Sequence, residues 1–106
     1  MGSSKNTPLT EAVYYILLSL YSPLHGYGIM QNVKKLTNGR LNIGAGTLYG
    51  AINTLISKGF IEEFSRDPSK KEYVITDEGK NAVENELKRL KELVENGEQL
   101  LGGTNE

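Results

Sequence analysis

Between Gly44 and Gly59 the chain reads G-A-G-T-L-Y-G-A-I-N-T-L-I-S-K-G, and this stretch constrains the fold more than any other. Leu48, Ala51, Ile52, Leu55 and Ile56 recur at steps of three and four, which gathers them on one side of a helix over 45–58. Projected on a helical wheel they fill roughly a 140° arc, wide enough to seat the helix on a core. The opposite side carries Gly46, Thr47, Tyr49, Gly50, Asn53, Thr54 and Ser57, with Lys58 near its end. That side is small, polar and almost uncharged. A solvated helix face is usually rich in Glu and Lys, whereas a helix that enters a tight groove has this composition. A packed surface helix with a glycine-rich start reads the same way, and the neighbouring segments decide between the two.

Upstream, Thr7-Pro8 or Thr10 starts a helix that runs to the stop at Ser22-Pro23. Leu9, Val13, Ile16, Leu17 and Leu20 form one apolar stripe, and Tyr14, Leu18 and Tyr21 form a second, offset by about 120°. A small domain covers the first stripe; the second asks for a partner. His25-Gly26-Tyr27-Gly28 leads into a second helix with Ile29, Met30, Val33 and Leu36 inward, ending near Thr37-Asn38-Gly39. A short link to Gly44 makes this pair a helix-turn-helix. After Gly59 the period changes to that of strands at 60–64 and 72–75, joined by the turn-rich loop S-R-D-P-S-K-K. Thr76 caps a last helix, favoured by Asp77 and Glu78 in its first turn. Along it Val83, Leu87, Leu90 and Val94 form a coiled-coil-like seam, widened by Leu93. Asn96-Gly97 ends or frays it.

The 106 residues suit one domain, and their composition removes several function classes. There is no cysteine, so disulfides, zinc fingers and thiol catalysis are excluded. No apolar run reaches the roughly 18–20 residues of a membrane span. The opening Met1-Gly2-Ser3-Ser4 lacks the apolar core of a signal peptide, so a cytoplasmic protein is expected. His25, the single histidine, has no clustered acid or thiol and reads as structural; no catalytic or metal site is expected, and no cofactor. The net charge of −1 hides an uneven distribution. Residues 30–71 hold seven basic and three acidic side chains, whereas 72–106 hold four basic and nine acidic. A basic middle joined to an acidic end points to separate tasks for the two parts.

Helix, helix, helix, hairpin, helix is the order of an α+β winged helix-turn-helix with a C-terminal extension. The blocks His25-Gly26-Tyr27, Gly46-Thr47-Leu48-Tyr49, Leu55 with Lys58-Gly59 and Ile61, and Tyr73 with Ile75-Thr76 and Glu78-Gly79 resemble the PadR family of bacterial transcriptional regulators. The resemblance spans about residues 9–95, and the single C-terminal helix is like that of the small subgroup. Two positions depart from the family pattern: Gly44 stands where Ser is common, and Gly50 where Pro is common. The organisation expected is an unstructured or vector-derived 1–7, a DNA-binding domain at 8–76, a dimerisation helix at 77–101 and a disordered tail at 102–106.

The resemblance implies a dimeric, sequence-specific DNA-binding regulator, a repressor, rather than an enzyme. The helix over 45–58 is expected in the major groove, with backbone amides near Ala45, Gly46 and Thr47 facing a phosphate. Tyr49 would bond a phosphate through its hydroxyl, or else pack on the hairpin. Asn53 suits adenine, and Thr47 and Thr54 suit a thymine methyl; no outward arginine offers guanine readout, so discrimination is modest. Lys34, Lys35, Lys58, Arg66, Lys70 and Lys71 are the expected phosphate contacts. Tyr14, Leu18, Val83, Leu87, Leu90 and Val94 are expected to pair across a two-fold axis, which sets two recognition helices roughly 34 Å apart on a palindromic operator. Tyr14, Tyr15, Leu87, Leu90 and Val94 would line a cavity for a planar hydrophobic effector, the alternative being a fully packed interface. A winged helix used purely as a protein–protein adaptor is the competing reading.

Overall fold

The computed structural model describes residues 7–65, 67 and 69–102. The chain forms α1 (Glu11–Ser19), β1 (Leu24–His25), α2 (Gly26–Leu36), α3 (Ala45–Ser57), β2 (Ile61–Glu63), β3 (Glu72–Ile75) and α4 (Asp77–Gly97). A π-helical turn over Glu98–Gly102 continues α4. The strands make one antiparallel sheet in the order β1-β3-β2, with Ile61 opposite Ile75, Glu63 opposite Tyr73, and Leu24 opposite Tyr73 on the other edge.

The helix starts follow from local chemistry. Thr10 Oγ1 accepts the Val13 amide at 3.1 Å, and Thr76 Oγ1 accepts that of Gly79 at 3.1 Å. His25 caps α2 through Nδ1, which accepts the Gly28 amide at 2.9 Å, so its structural reading holds. Helix α2 ends in a Schellman turn: Asn38 has a φ of 53°, and its amide and that of Gly39 reach back to the Lys35 and Lys34 carbonyls. Helix α3 ends the same way at Gly59, whose φ of 78° is open to glycine at little cost.

Ile16, Leu17, Leu20, Ile29, Val33, Leu48, Ile52, Leu55, Ile61, Tyr73, Ile75 and Val83 close the core. On β3 the alternation of Tyr73 and Ile75 inward is the strand period expected from sequence. The sheet is anchored by Ile75, whose amide donates to the Leu20 carbonyl at 2.8 Å. Thr76 ties the end of α3 to the start of α4, donating its hydroxyl to the Gly59 carbonyl at 2.6 Å. Gly79 lies beneath, where a Cβ would overlap the Phe60 carbonyl oxygen. The Lys58-Gly59 and Thr76 to Gly79 blocks of the sequence are therefore one junction.

Four details differ from expectation. Helix α1 stops at Ser19, because Leu20 is drawn into the bond with β3. β1 was unforeseen, since two residues carry no period of their own. Leu36 and Ile56, expected inward, are 50 % and 40 % exposed; the turn after α2 buries Thr37 in place of Leu36, its hydroxyl donating to the Val33 carbonyl at 2.9 Å. Val83, expected on the dimer seam, is 4 % exposed within the chain's own core. Its place at the fourth step after Gly79 turns it onto the domain that α4 leaves, so the free seam begins beyond it.

Helix α4 spans 21 residues, about 32 Å at the α-helical rise. Its first half packs against α1. There Glu86, buried, accepts two bonds from Arg89 (3.0 and 2.6 Å), and its carboxyl is held below the usual range by that guanidinium, against the effect of burial, with help from the Leu9 amide. Beyond this clasp Leu87, Leu93 and Val94 are exposed.

Candidate nucleic-acid interface

Among the described residues, α3 differs from the other three helices at its start. Gly44 has the extended backbone of an N-cap but no side chain with which to cap, and the first intrahelical bond, from Leu48 to the Gly44 carbonyl, comes only at the fourth residue. The amides of Ala45, Gly46 and Thr47 are thus left pointing outward at the positive end of the helix dipole. Gly44, Ala45, Gly46, Thr47, Gly50, Asn53, Thr54, Ser57 and Lys58 are all exposed. A Cβ added at Gly44, Gly46 or Gly50 would meet nothing within 4 Å. The helix contains no acidic residue, so a polyanion meets no repulsion along it.

Tyr49 is 45 % exposed and its hydroxyl rests against Gly26 at the start of α2, where a Cβ would overlap it. The close fit links two sequence blocks, His25-Gly26-Tyr27 and Gly46-Thr47-Leu48-Tyr49, through one contact. Tyr73 on β3 lies near enough for Tyr49 to raise its phenol slightly, after burial and Glu63. Tyr49 is therefore packed on one side and open on the other. Sequence reasoning noted both motifs and missed that one is the seat of the other; their co-occurrence was the available signal.

The cations divide into committed and free. Lys34 and Lys35 are exposed in the last turn of α2, where positive charge also suits the helix dipole. Lys58 is exposed at the end of α3, and Lys70 is exposed in the hairpin loop. Lys71 pairs with Glu63 at 3.7 Å, both well exposed. Arg40, in the turn between α2 and α3, pairs with Glu11, which with Tyr15 holds its guanidinium further toward the charged form. Arg66 lies outside the described residues. The candidate interface is thus a neutral helix with Lys58 at its own end; Lys34 and Lys35 border a hollow with Leu24, Gln31 and Asn32 that contains no α3 residue, and Lys70 stands on the hairpin loop.

The model of the PadR-like transcriptional regulators matches residues 15–85, from α1 into α4. The chain belongs to this family. No curated protein matches it. Its fold is similar to that of a transcriptional regulator from Clostridium thermocellum (TM-score 0.72, 21 % identity, covering 85 % of this chain and 88 % of that one). It is also similar to a PadR family regulator from Clostridium difficile R20291 (0.69, 22 %, covering 85 % and 98 %) and to a PadR-like factor from Bacteroides fragilis (0.67, 24 %, covering 84 % and 87 %). The PadR-like chain is thus a winged-helix, DNA-binding transcriptional regulator, and its family is one of regulators rather than enzymes. Among the described residues no helix is long and apolar enough to cross a membrane.

The residues expected around an effector are placed less compactly within one PadR-like chain. Tyr14 and Tyr15 meet edge to face with ring centres 6.0 Å apart, and Tyr15 lies beside Arg40. Tyr14 and Leu18 are half-buried, Leu90 is half-buried, and Leu87 and Val94 stand exposed on α4. A different recess, of about 260 Å³, opens between the segment before α1 and one flank of α3, beside Gly50, Thr54 and Lys58.

Proposed function

We propose that two copies of this chain form a repressor that holds a palindromic operator, each inserting the outer face of α3 into the major groove. The observation that carries the reading is that face itself: uncapped at its start, free of acids, and bare of side chains at Gly46 and Gly50. The amides of Ala45, Gly46 and Thr47 and the open side of Tyr49 engage phosphates, while Lys34, Lys35, Lys58, Arg66 and Lys70 supply salt-dependent affinity. Asn53 is the adenine reader, its amide having no hydrogen-bond partner among the described residues. The dimer is supported by the exposed Leu87, Leu93 and Val94 on the half of α4 that leaves the domain, with Tyr14 and Leu18 of α1 flanking it. A space between the two subunits would admit a planar hydrophobic effector that shifts the spacing of the α3 pair.

A gel-shift of the chain against its own upstream DNA across a salt series tests the DNA reading; no retardation at low salt overturns it. Sedimentation of Leu93→Asp/Val94→Asp tests the dimer. The variant is expected to fall to monomer and lose operator binding while keeping its helical content, since both residues are exposed. Titration of aromatic dyes against tyrosine fluorescence tests the effector, and no saturable change removes it.

A further inference from the structure

Two threonines lie on the outer face of α3, and the structure sets them apart chemically. The Thr47 side chain makes no hydrogen bond among the described residues, which leaves its hydroxyl proton available to a phosphate. Thr54 has spent its own: Oγ1 donates to the Gly50 carbonyl at 3.2 Å. In that rotamer the hydroxyl proton is turned back to the helix, and the groove edge of thymine, which offers only the O4 acceptor and the C5 methyl, has no donor for the lone pairs that Thr54 keeps. What it presents is a γ-methyl whose rotamer is held by the bond to Gly50. Apart from Thr10 and Lys58, the residues that share its recess are apolar or glycine. Gly50, one turn back, has open space where a side chain would stand, and the recess of about 260 Å³ continues from Thr54 over Ala51 and Leu55.

We propose that Thr54 makes operator recognition depend on a methyl group at C5 of a pyrimidine, so that this regulator reads DNA methyls rather than hydrogen-bond patterns at that base. This rests on α3 being the groove-reading helix. Thymine carries the methyl, uracil lacks it with every hydrogen-bonding atom unchanged, and 5-methylcytosine restores it on a C·G pair. The three bases separate methyl contact from hydrogen-bond readout, and comparison with Thr54→Ser separates it from effects of the methyl on duplex shape. A C5 methyl also makes the regulator sensitive to cytosine methylation within its site.

The test begins with a duplex selected by the full chain from a random-sequence library, in which each thymine is replaced in turn by deoxyuridine. At one thymine per half-site the replacement is expected to lower affinity roughly four-fold, the Boltzmann factor for one buried methyl. A cytosine at that position is expected to bind more weakly than a 5-methylcytosine there. Thr54→Ser keeps the hydroxyl and its bond to Gly50 but removes the protein's methyl, so it should bind thymine and deoxyuridine duplexes equally. Deoxyuridine tolerated at every position, or a penalty that persists in Thr54→Ser, overturns the proposal while leaving DNA binding intact. A chain that selects no duplex at all overturns the DNA reading and this inference with it.

Discussion

Replacing Gly50 by alanine separates folding from DNA binding within a single residue. Gly50 lies in the middle of α3, and a Cβ there meets nothing within 4 Å, so the free protein has no steric objection. Alanine is favoured over glycine by about 0.8–1.0 kcal/mol in a helix interior. For a domain of this size that corresponds to a rise of about 4–8 °C in Tm at matched protein concentration. In the complex proposed above, the added methyl would stand between the helix backbone and the groove floor. A misplaced methyl in a close-packed contact costs about 1–3 kcal/mol, or roughly 5- to 150-fold in affinity. Calorimetry and fluorescence anisotropy with a labelled operator duplex should therefore move in opposite directions. A Gly50→Ala protein that is more stable and binds DNA as well as the parent would refute the close approach of α3; one that is less stable would show that the outer face is covered.

Three further outcomes follow from the same geometry. Gly79→Ala should destabilise by about 1–3 kcal/mol in urea denaturation despite its better helix propensity, because its Cβ would overlap the Phe60 carbonyl and stand 2.7 Å from Ile75 Cγ1. Glu86→Gln should cost about 1–3 kcal/mol near pH 7. The Glu86 carboxyl is depressed in the fold, so its stabilisation is complete above the ordinary value of 4.5 and fades as pH falls through the lowered one; the gap between parent and variant in urea midpoints should close in acid. Lys70→Ala should flatten the dependence of log K on log salt by about 0.9 per subunit, and Lys71→Ala by less, because Lys71 already shares its charge with Glu63.

Much of the fold was legible in the chain because the signals are local. The apolar arc of α3, the threonine caps of α1 and α4, and the Schellman turns after α2 and α3 arise from residues within one or two turns of each other. Two of the family blocks were legible for a related reason: each holds a glycine at a junction with no room for a Cβ. Glycine at 26 admits the Tyr49 hydroxyl, and glycine at 79 admits the Phe60 carbonyl.

Periodicity says which side of a helix is apolar, without saying what covers it. Coverage depends on residues far away in sequence, and there the chain alone fell short: Val83 went to the intramolecular core instead of the seam, Leu36 and Ile56 stayed half open, and Leu24-His25 became a strand only because β3 lay beside it. The same holds at the interface. The sequence by itself determined that α3 has a bare, acid-free face, since composition and spacing suffice for that. Only the tertiary structure decided that Arg40 and Lys71 are paired and that Tyr49 is half committed to Gly26, because each depends on a partner brought close by the packing of separate elements.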